Sequence, residues 1–176
     1  MKILLISPTR CGSTVLGRWI TKSLGIEFDE IPYNKKTFEL INEDTLKKIV
    51  VEEHFPSDDE TKLFDVVLCL TRNSDIESAI SYIFANESNT WHEKYIISDY
   101  WLRSRNDKIN KWMDNFKTLK NRIKEYNGLH ITYENIYQDN SDIEILKNLL
   151  GITTTDFDYM LLSENRYRET NKNKLI

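Results

Sequence analysis

The sequence predicts a three-layer α/β domain, with a central parallel sheet covered by helices on both faces. Three observations lead there. The chain opens on an apolar run, Lys2-Ile-Leu-Leu-Ile-Ser7, and continues after a small-residue loop with a helical pattern at Val15, Leu16, Trp19 and Ile20. A second apolar run, Val66 to Leu70, is again followed by a helical stretch. A long stripe with helical spacing from Ser98 to Tyr126 then returns as the strand pattern Leu129-His-Ile-Thr-Tyr133. Strands joined by helical crossovers of this length pair in parallel, with the helices packed on the sheet faces.

The opening strand breaks at Ser7-Pro8, and the loop ends in Gly12-Ser13-Thr14. A strand, a tight loop and a helix start aim successive backbone N–H groups and the positive end of the helix at one spot, an arrangement suited to a phosphate or sulfate. The loop that binds nucleoside triphosphates carries a Lys directly before its Ser/Thr. Here Gly12 precedes Ser13, and the cation is Arg10, whose planar fork can hold two oxygens. Ser13 and Thr14 add hydroxyl donors, or one of them simply caps the helix.

Further along, Val50-Val-Glu-Glu-His-Phe-Pro56 reads as a short strand ending at His54 and Pro56. Val66 to Leu70 has the unbroken apolar character of a strand covered on both faces, and Arg72 stands at its end. Ser74 is a good N-cap for the next helix, Asp75 and Glu77 suit its first turn, and Ala79, Ile80, Ile83 and Phe84 form its buried side. The segment Asn86 to Tyr95 mixes polar and aromatic residues, and Trp91 and His92 are candidates either to contact an acceptor or to pin the loop. In the long helical stripe, Ile109, Trp112, Met113, Phe116, Leu119, Ile123 and Tyr126 form the core face, and Asn127-Gly128 ends it. Ile143, Leu146, Leu149 and Leu150 before Gly151 mark a last helix.

Composition sets the outer bounds. A chain of 176 residues with 40% hydrophobic content supports one domain, 1–176, with a real core. A net charge of −4 argues against a general nucleic-acid binder, which needs clustered cations. No stretch resembles a transmembrane span or a signal peptide. The two cysteines, Cys11 and Cys69, form no metal-binding spacing and predict no disulfide, so the cytoplasm is the expected compartment. Cys11, beside Arg10 at a helix start, is a candidate for a lowered pKa. A phosphatase-type loop has five residues between Cys and Arg, whereas six separate Cys11 from Arg18.

Pro8-Thr-Arg-Cys-Gly-Ser-Thr14, with Asp65-Val-Val-Leu-Cys-Leu-Thr-Arg-Asn-Ser-Asp-Ile-Glu-Ser-Ala-Ile-Ser81, resembles the sulfotransferase family. These enzymes move a sulfuryl group from 3′-phosphoadenosine 5′-phosphosulfate (PAPS) to an acceptor, and their three-layer fold is P-loop-like. The family loop is Pro-[Lys/Arg]-Ser-Gly-[Ser/Thr]-[Ser/Thr]; this chain has one residue inserted and Cys11 in place of Ser. The resemblance implies that Arg10, Cys11, Gly12, Ser13 and Thr14 hold the 5′-phosphosulfate, and sulfuryl transfer needs positive charge near the bridging oxygen of the leaving phosphate, a task for Arg10. The resemblance further implies that Arg72 and Ser81 bind the 3′-phosphate. Nine positions separate these two residues, which is closer to bacterial glycolipid sulfotransferases than to many eukaryotic members.

The family often carries Lys-x-His-x-Pro at the end of a strand, where the His takes the acceptor's proton. His54 matches, while Glu52 replaces the Lys. An imidazole with an ordinary pKa of about 6.5 suits that role. Glu27 and Glu30, in a region from which several bacterial members draw a Glu, are the rival bases. Tyr133, in a Tyr-Glu pair after a late strand, is implied near the adenine or is simply core. Arg166 and Arg168 stand where the family folds a basic loop over the 3′-phosphate, although the usual Gly-containing motif is missing. The implied partners are a small-molecule, lipid or glycan acceptor and a possible second copy of the chain. Two alternatives share the opening: an ATP-dependent small-molecule kinase, and a nucleotide-binding module without a base.

Overall fold

The computed structural model describes residues 1–29, 44–51, 55–89 and 97–153. Strand β1 (Lys2–Ser7) leads into helix α1 (Ser13–Leu24), followed by β2 (Glu27–Asp29) and β3 (Thr45–Val50). A one-turn helix α2 (Asp58–Thr61) precedes β4 (Val66–Thr71) and α3 (Asp75–Ser88). Then come α4 (Asp99–Ser104), α5 (Asn106–Ile123), β5 (Leu129–Thr132), α6 (Tyr133–Tyr137) and α7 (Ser141–Leu150). The strands form one five-stranded sheet in the order β2-β3-β1-β4-β5, and every pairing is parallel.

Alternation along β1 sends its side chains to two separate cores. Ile3 and Leu5 join Leu46, Leu68, Leu70 and Ile131 beneath Leu16, Trp19 and Ile20 of α1 and Ile143 and Leu146 of α7. Leu4 and Ile6 join Ile49 and Cys69 on the opposite face, closed by Phe64 and by Ile123 of α5. Central strands buried on both sides read as unbroken apolar runs for this reason, and each fully buried Leu or Ile contributes about 1.5–3 kcal/mol. A third cluster, with Ala79 and Ile83 of α3 against Ile109, Phe116 and Leu119 of α5, ties the outer helices together. The three layers are those the sequence predicts.

Three boundaries differ. The strand expected from Val50 onward lies earlier, at Thr45–Val50, where Lys47 and Lys48 interrupt the apolar pattern although both are buried. Lys47 is stabilised there by an ion pair with Asp29 on β2, with Nζ 3.1 Å from Oδ2. The helix expected over 98–126 is two helices broken at Arg105 (φ −118°, ψ 11°). There the guanidinium lies 5.2 Å from the centre of the Trp101 ring and its Nε donates to Glu87 Oε2 at 2.8 Å, so tertiary contacts at the end of α3 outweigh continuation of the helix. Finally, Tyr133 does not end the last strand but starts the short helix α6, capped by Thr132, whose hydroxyl accepts the Asn135 N–H.

Candidate functional site

From β1 the chain goes to the edge strand β2 and back to β3 on one side, then crosses to β4 and β5 on the other, so the crevice between the carboxyl ends of β1 and β4 is a topological switch point. In open parallel sheets ligands settle at such a crevice. Both anion-type loops end here, the first after β1 and the second after β4.

The first loop is shaped by Gly12. It stands at φ +77° as the N-cap of α1 and has no side-chain cap, and the first turn of the helix carries no acidic residue. A Cβ at position 12 would sit 2.8 Å from Cε2 of Tyr137 and 3.1 Å from the ring of Tyr133. Two tyrosines of α6 therefore form a wall against the loop, and the Tyr137 hydroxyl donates to the Gly12 carbonyl at 2.8 Å. Arg10 takes φ +64°, and its Nε donates to Ser81 Oγ on α3 at 2.8 Å. On the other side Lys48 Nζ donates to Thr14 Oγ1 at 2.6 Å. Ser7, the last residue of β1, is fully buried and its Oγ has no hydrogen-bond partner among the described residues. Backbone N–H groups at an uncapped helix start, hydroxyls and two flanking cations make a donor set that fits an anion.

The sidechain of Cys11 faces inward. It packs in the core under the loop, its Sγ reaches only the Thr9 carbonyl at 3.8 Å, and burial pushes its pKa up to about 12. The lowered pKa expected from its place beside Arg10 is thus reversed, because desolvation of the thiolate outweighs the nearby Arg72 charge. Only the backbone of Cys11 can serve an anion. Ser13 is also buried.

The second loop is held by side chains. Lys120 of α5 donates to the carbonyls of Arg72 at 3.2 Å and Asn73 at 3.3 Å, and pairs with Asp75 at 2.6 Å. The Asn73 N–H donates to Glu134 Oε2 at 2.9 Å, and Ser74 caps α3 by accepting the Glu77 N–H. The Arg72 guanidinium lies 4.6 Å over the centre of the Tyr133 ring and pairs with Glu77, and its Nε has no hydrogen-bond partner among the described residues. Tyr133 is buried beneath it, in contact with both loops.

The structure thus brings together Arg10, Gly12, Thr14, Arg72, Ser81 and Tyr133. Glu30, His54, Trp91, His92, Arg166 and Arg168 lie outside the described residues. Glu27 is on β2, at the sheet edge opposite β5. Sequence reasoning missed Lys48, Lys120 and Tyr137: Lys48 is hidden in a strand broken by charge, Lys120 sits on a helix face that reads as solvated, and Tyr137 lies in a helix the pattern did not reveal. Among the described residues no group of His, Cys, Asp and Glu could hold a metal ion, and no helix is long and apolar enough to cross a membrane.

Among solved structures the chain is similar to the mouse sulfotransferase SULT7A1 complexed with PAP, with a TM-score of 0.61 at 14% identity. The fold is that of a sulfotransferase. The match covers 92% of this chain and 63% of that protein, so the chain spans less than two thirds of its structural neighbour. No protein-family model matches the sequence, and no curated protein matches it.

Proposed function

We propose that the chain, as one sulfotransferase-like domain over residues 1–176, transfers a sulfuryl group from PAPS to a hydroxyl of a carbohydrate, lipid or small-molecule acceptor. The observation that carries this reading is the hydrogen bond from Arg10 Nε to Ser81 Oγ, at 2.8 Å, which joins the two anion loops across the crevice between β1 and β4. A ligand with phosphate-type groups at both ends of a nucleoside matches two such loops better than a triphosphate does. The neighbouring SULT7A1 structure holds PAP, a nucleotide of that kind.

In this reading the backbone of Cys11 and Gly12, with Ser13 and Thr14, grips the 5′ group. Arg72 and Ser81 take the 3′-phosphate, with Arg10 bridging the two loops, and Arg168 is a further candidate for that phosphate. Bound there, PAPS supplies the sulfuryl group. His54 is the base that takes the acceptor's proton, and Glu30 and Glu27 are the carboxylates that replace it if His54 proves dispensable. As the acceptor oxygen bonds to sulfur, its proton passes to the base, the S–O bond to the 5′-phosphate breaks, and the electron pair stays on the phosphate oxygen. Donors fixed around that oxygen stabilise the developing charge without reorganising.

Calorimetric titration with 3′-phosphoadenosine 5′-phosphate (PAP), run beside ATP with Mg²⁺, tests the reading. Binding of PAP that weakens at least tenfold in Arg72→Ala is the expected result. Absence of PAP binding, or preference for ATP, would overturn it in favour of a kinase.

A further inference from the structure

The first loop poses a problem of charge that the fold answers from another strand. A triphosphate-type loop places its lysine directly before the Ser that starts the helix. Position 12, which corresponds here, cannot carry any side chain: its φ is +77°, and a Cβ would meet Tyr137 at 2.8 Å and Tyr133 at 3.1 Å. Arg10 stands two residues earlier, but its Nε is directed across the crevice to Ser81 on α3, toward the β4 side. Arg10 Nε is thus held toward α3, and on the β3 side, at the first turn of α1, the cradle draws a cation from elsewhere.

Strand β3 brings one. It flanks β1 on the side opposite β4, and Lys48 lies in register with Leu5. Alternation puts Lys48 on the same face as Leu46, toward α1, and its Nζ reaches Thr14 Oγ1 at 2.6 Å. The residue is 8% exposed, so its charge acts through a poorly screened medium. Two residues along β1 from Leu5, and on the same face, Ser7 holds a fully buried Oγ without a hydrogen-bond partner among the described residues.

We propose that Lys48 is the cationic group on the β3 side of the 5′-phosphosulfate cradle, delivered from β3 in place of a loop lysine, while Arg10 bridges the two loops. This rests on the sulfotransferase reading and adds a division of labour to it. When the bond between sulfur and the 5′-phosphate oxygen breaks, the electron pair left on that oxygen is matched by the Lys48 ammonium. Thr14, which accepts from Lys48, keeps the amine over the first turn of the helix. A role confined to folding would affect all ligands alike; the proposed role divides them by which end carries the phosphate.

The test uses three probes: PAP, adenosine 5′-phosphosulfate, which lacks the 3′-phosphate, and adenosine 3′-monophosphate, which lacks the 5′ group. Each is titrated into the wild-type protein and into Lys48→Met, Lys48→Gln and Arg72→Ala. The expected result is a loss of tenfold or more for PAP and adenosine 5′-phosphosulfate in both Lys48 variants, with adenosine 3′-monophosphate within twofold of wild type. Arg72→Ala gives the opposite division. Equal losses on all three probes, or none, in a wild type that binds PAP would overturn the assignment of Lys48. A wild type that binds none of the probes overturns instead the sulfotransferase reading on which it rests. Should neither neutral variant fold, trace acetylation of the wild-type amines, read residue by residue, gives the same decision: adenosine 5′-phosphosulfate slows labelling of Lys48 and adenosine 3′-monophosphate does not. Equal protection by both, or by neither, overturns the assignment.

Discussion

The two loops that face each other across the crevice are built on opposite plans. The first, after β1, is a backbone device: a glycine at positive φ, an uncapped helix start without acidic residues, and a wall of two tyrosines. The second, after β4, is a side-chain device, in which Lys120, Glu134 and Ser74 tie down the turn and Arg72 is already paired with Glu77. The first loop presents donors that are fixed by shape. The second presents a cation that must leave an internal carboxylate before it can take an external anion. Sequence change should therefore act on the first loop mainly through its shape and on the second mainly through its ion pairs.

The largest effect is expected from Gly12→Ala. Forcing a Cβ into positive φ costs about 1–3 kcal/mol, and the contact with Tyr137 adds overpacking of about 1–3 kcal/mol. Urea unfolding should register a loss of at least about 2 kcal/mol, with PAP binding abolished. A variant as stable as wild type would mean that the tyrosine wall yields, and the contrast between the loops would collapse. Next comes Lys120→Met, which strips the carbonyls of Arg72 and Asn73 of their donor and leaves Asp75 uncompensated. A destabilisation of about 2 kcal/mol is expected, since hydrogen bonds to charged groups contribute about 1.5–3 kcal/mol each. PAP binding should weaken while binding of adenosine 5′-phosphosulfate holds. If both ligands suffer equally, the second loop is not an independent unit. The smallest and most discriminating change is Glu77→Gln. Half-exposed ion pairs contribute about 0.2–1 kcal/mol, so removing the competing carboxylate should tighten PAP binding about two- to fivefold with little change in melting temperature. Weaker binding would show that Glu77 orients Arg72 rather than competing for it.

The plan of each loop also decides how much of it was legible in the chain. Parallel architecture follows from β1 and β4, whose unbroken apolar runs need cover on both faces, and from helices long enough to return the chain. Gly12 and Arg72 are legible because a phosphate loop and an arginine at a strand end leave local marks. The neighbours that give those residues their geometry leave none. Lys48 hides because two consecutive lysines argue against a buried strand on any propensity scale. Only the pairing of β3 between β1 and β2, with Asp29 beside Lys47, shows that the charges are accommodated. The inward turn of Cys11 was equally hidden, since the proximity of Arg10 in sequence suggests an activated thiol while the packing produces an inert one with a pKa of about 12. Arg105, in the middle of a sound helical stripe, breaks the helix because of Trp101 and Glu87, which periodicity within the stripe does not weigh.

Arg10 and Ser81 are 71 positions apart in the chain, and they meet only when β4 has docked against β1. Closing a loop of that length is slow, and its entropy must be met before the contact returns anything. Neither half of the crevice is complete in a partly folded chain, so a ligand that spans both halves has nothing to hold until the sheet closes. Such a ligand weights the native state alone, by about 2.7 kcal/mol at a hundredfold excess over its Kd. On the proposed reading, nucleotide supply would set not only how fast the site turns over but how much of the folded protein persists.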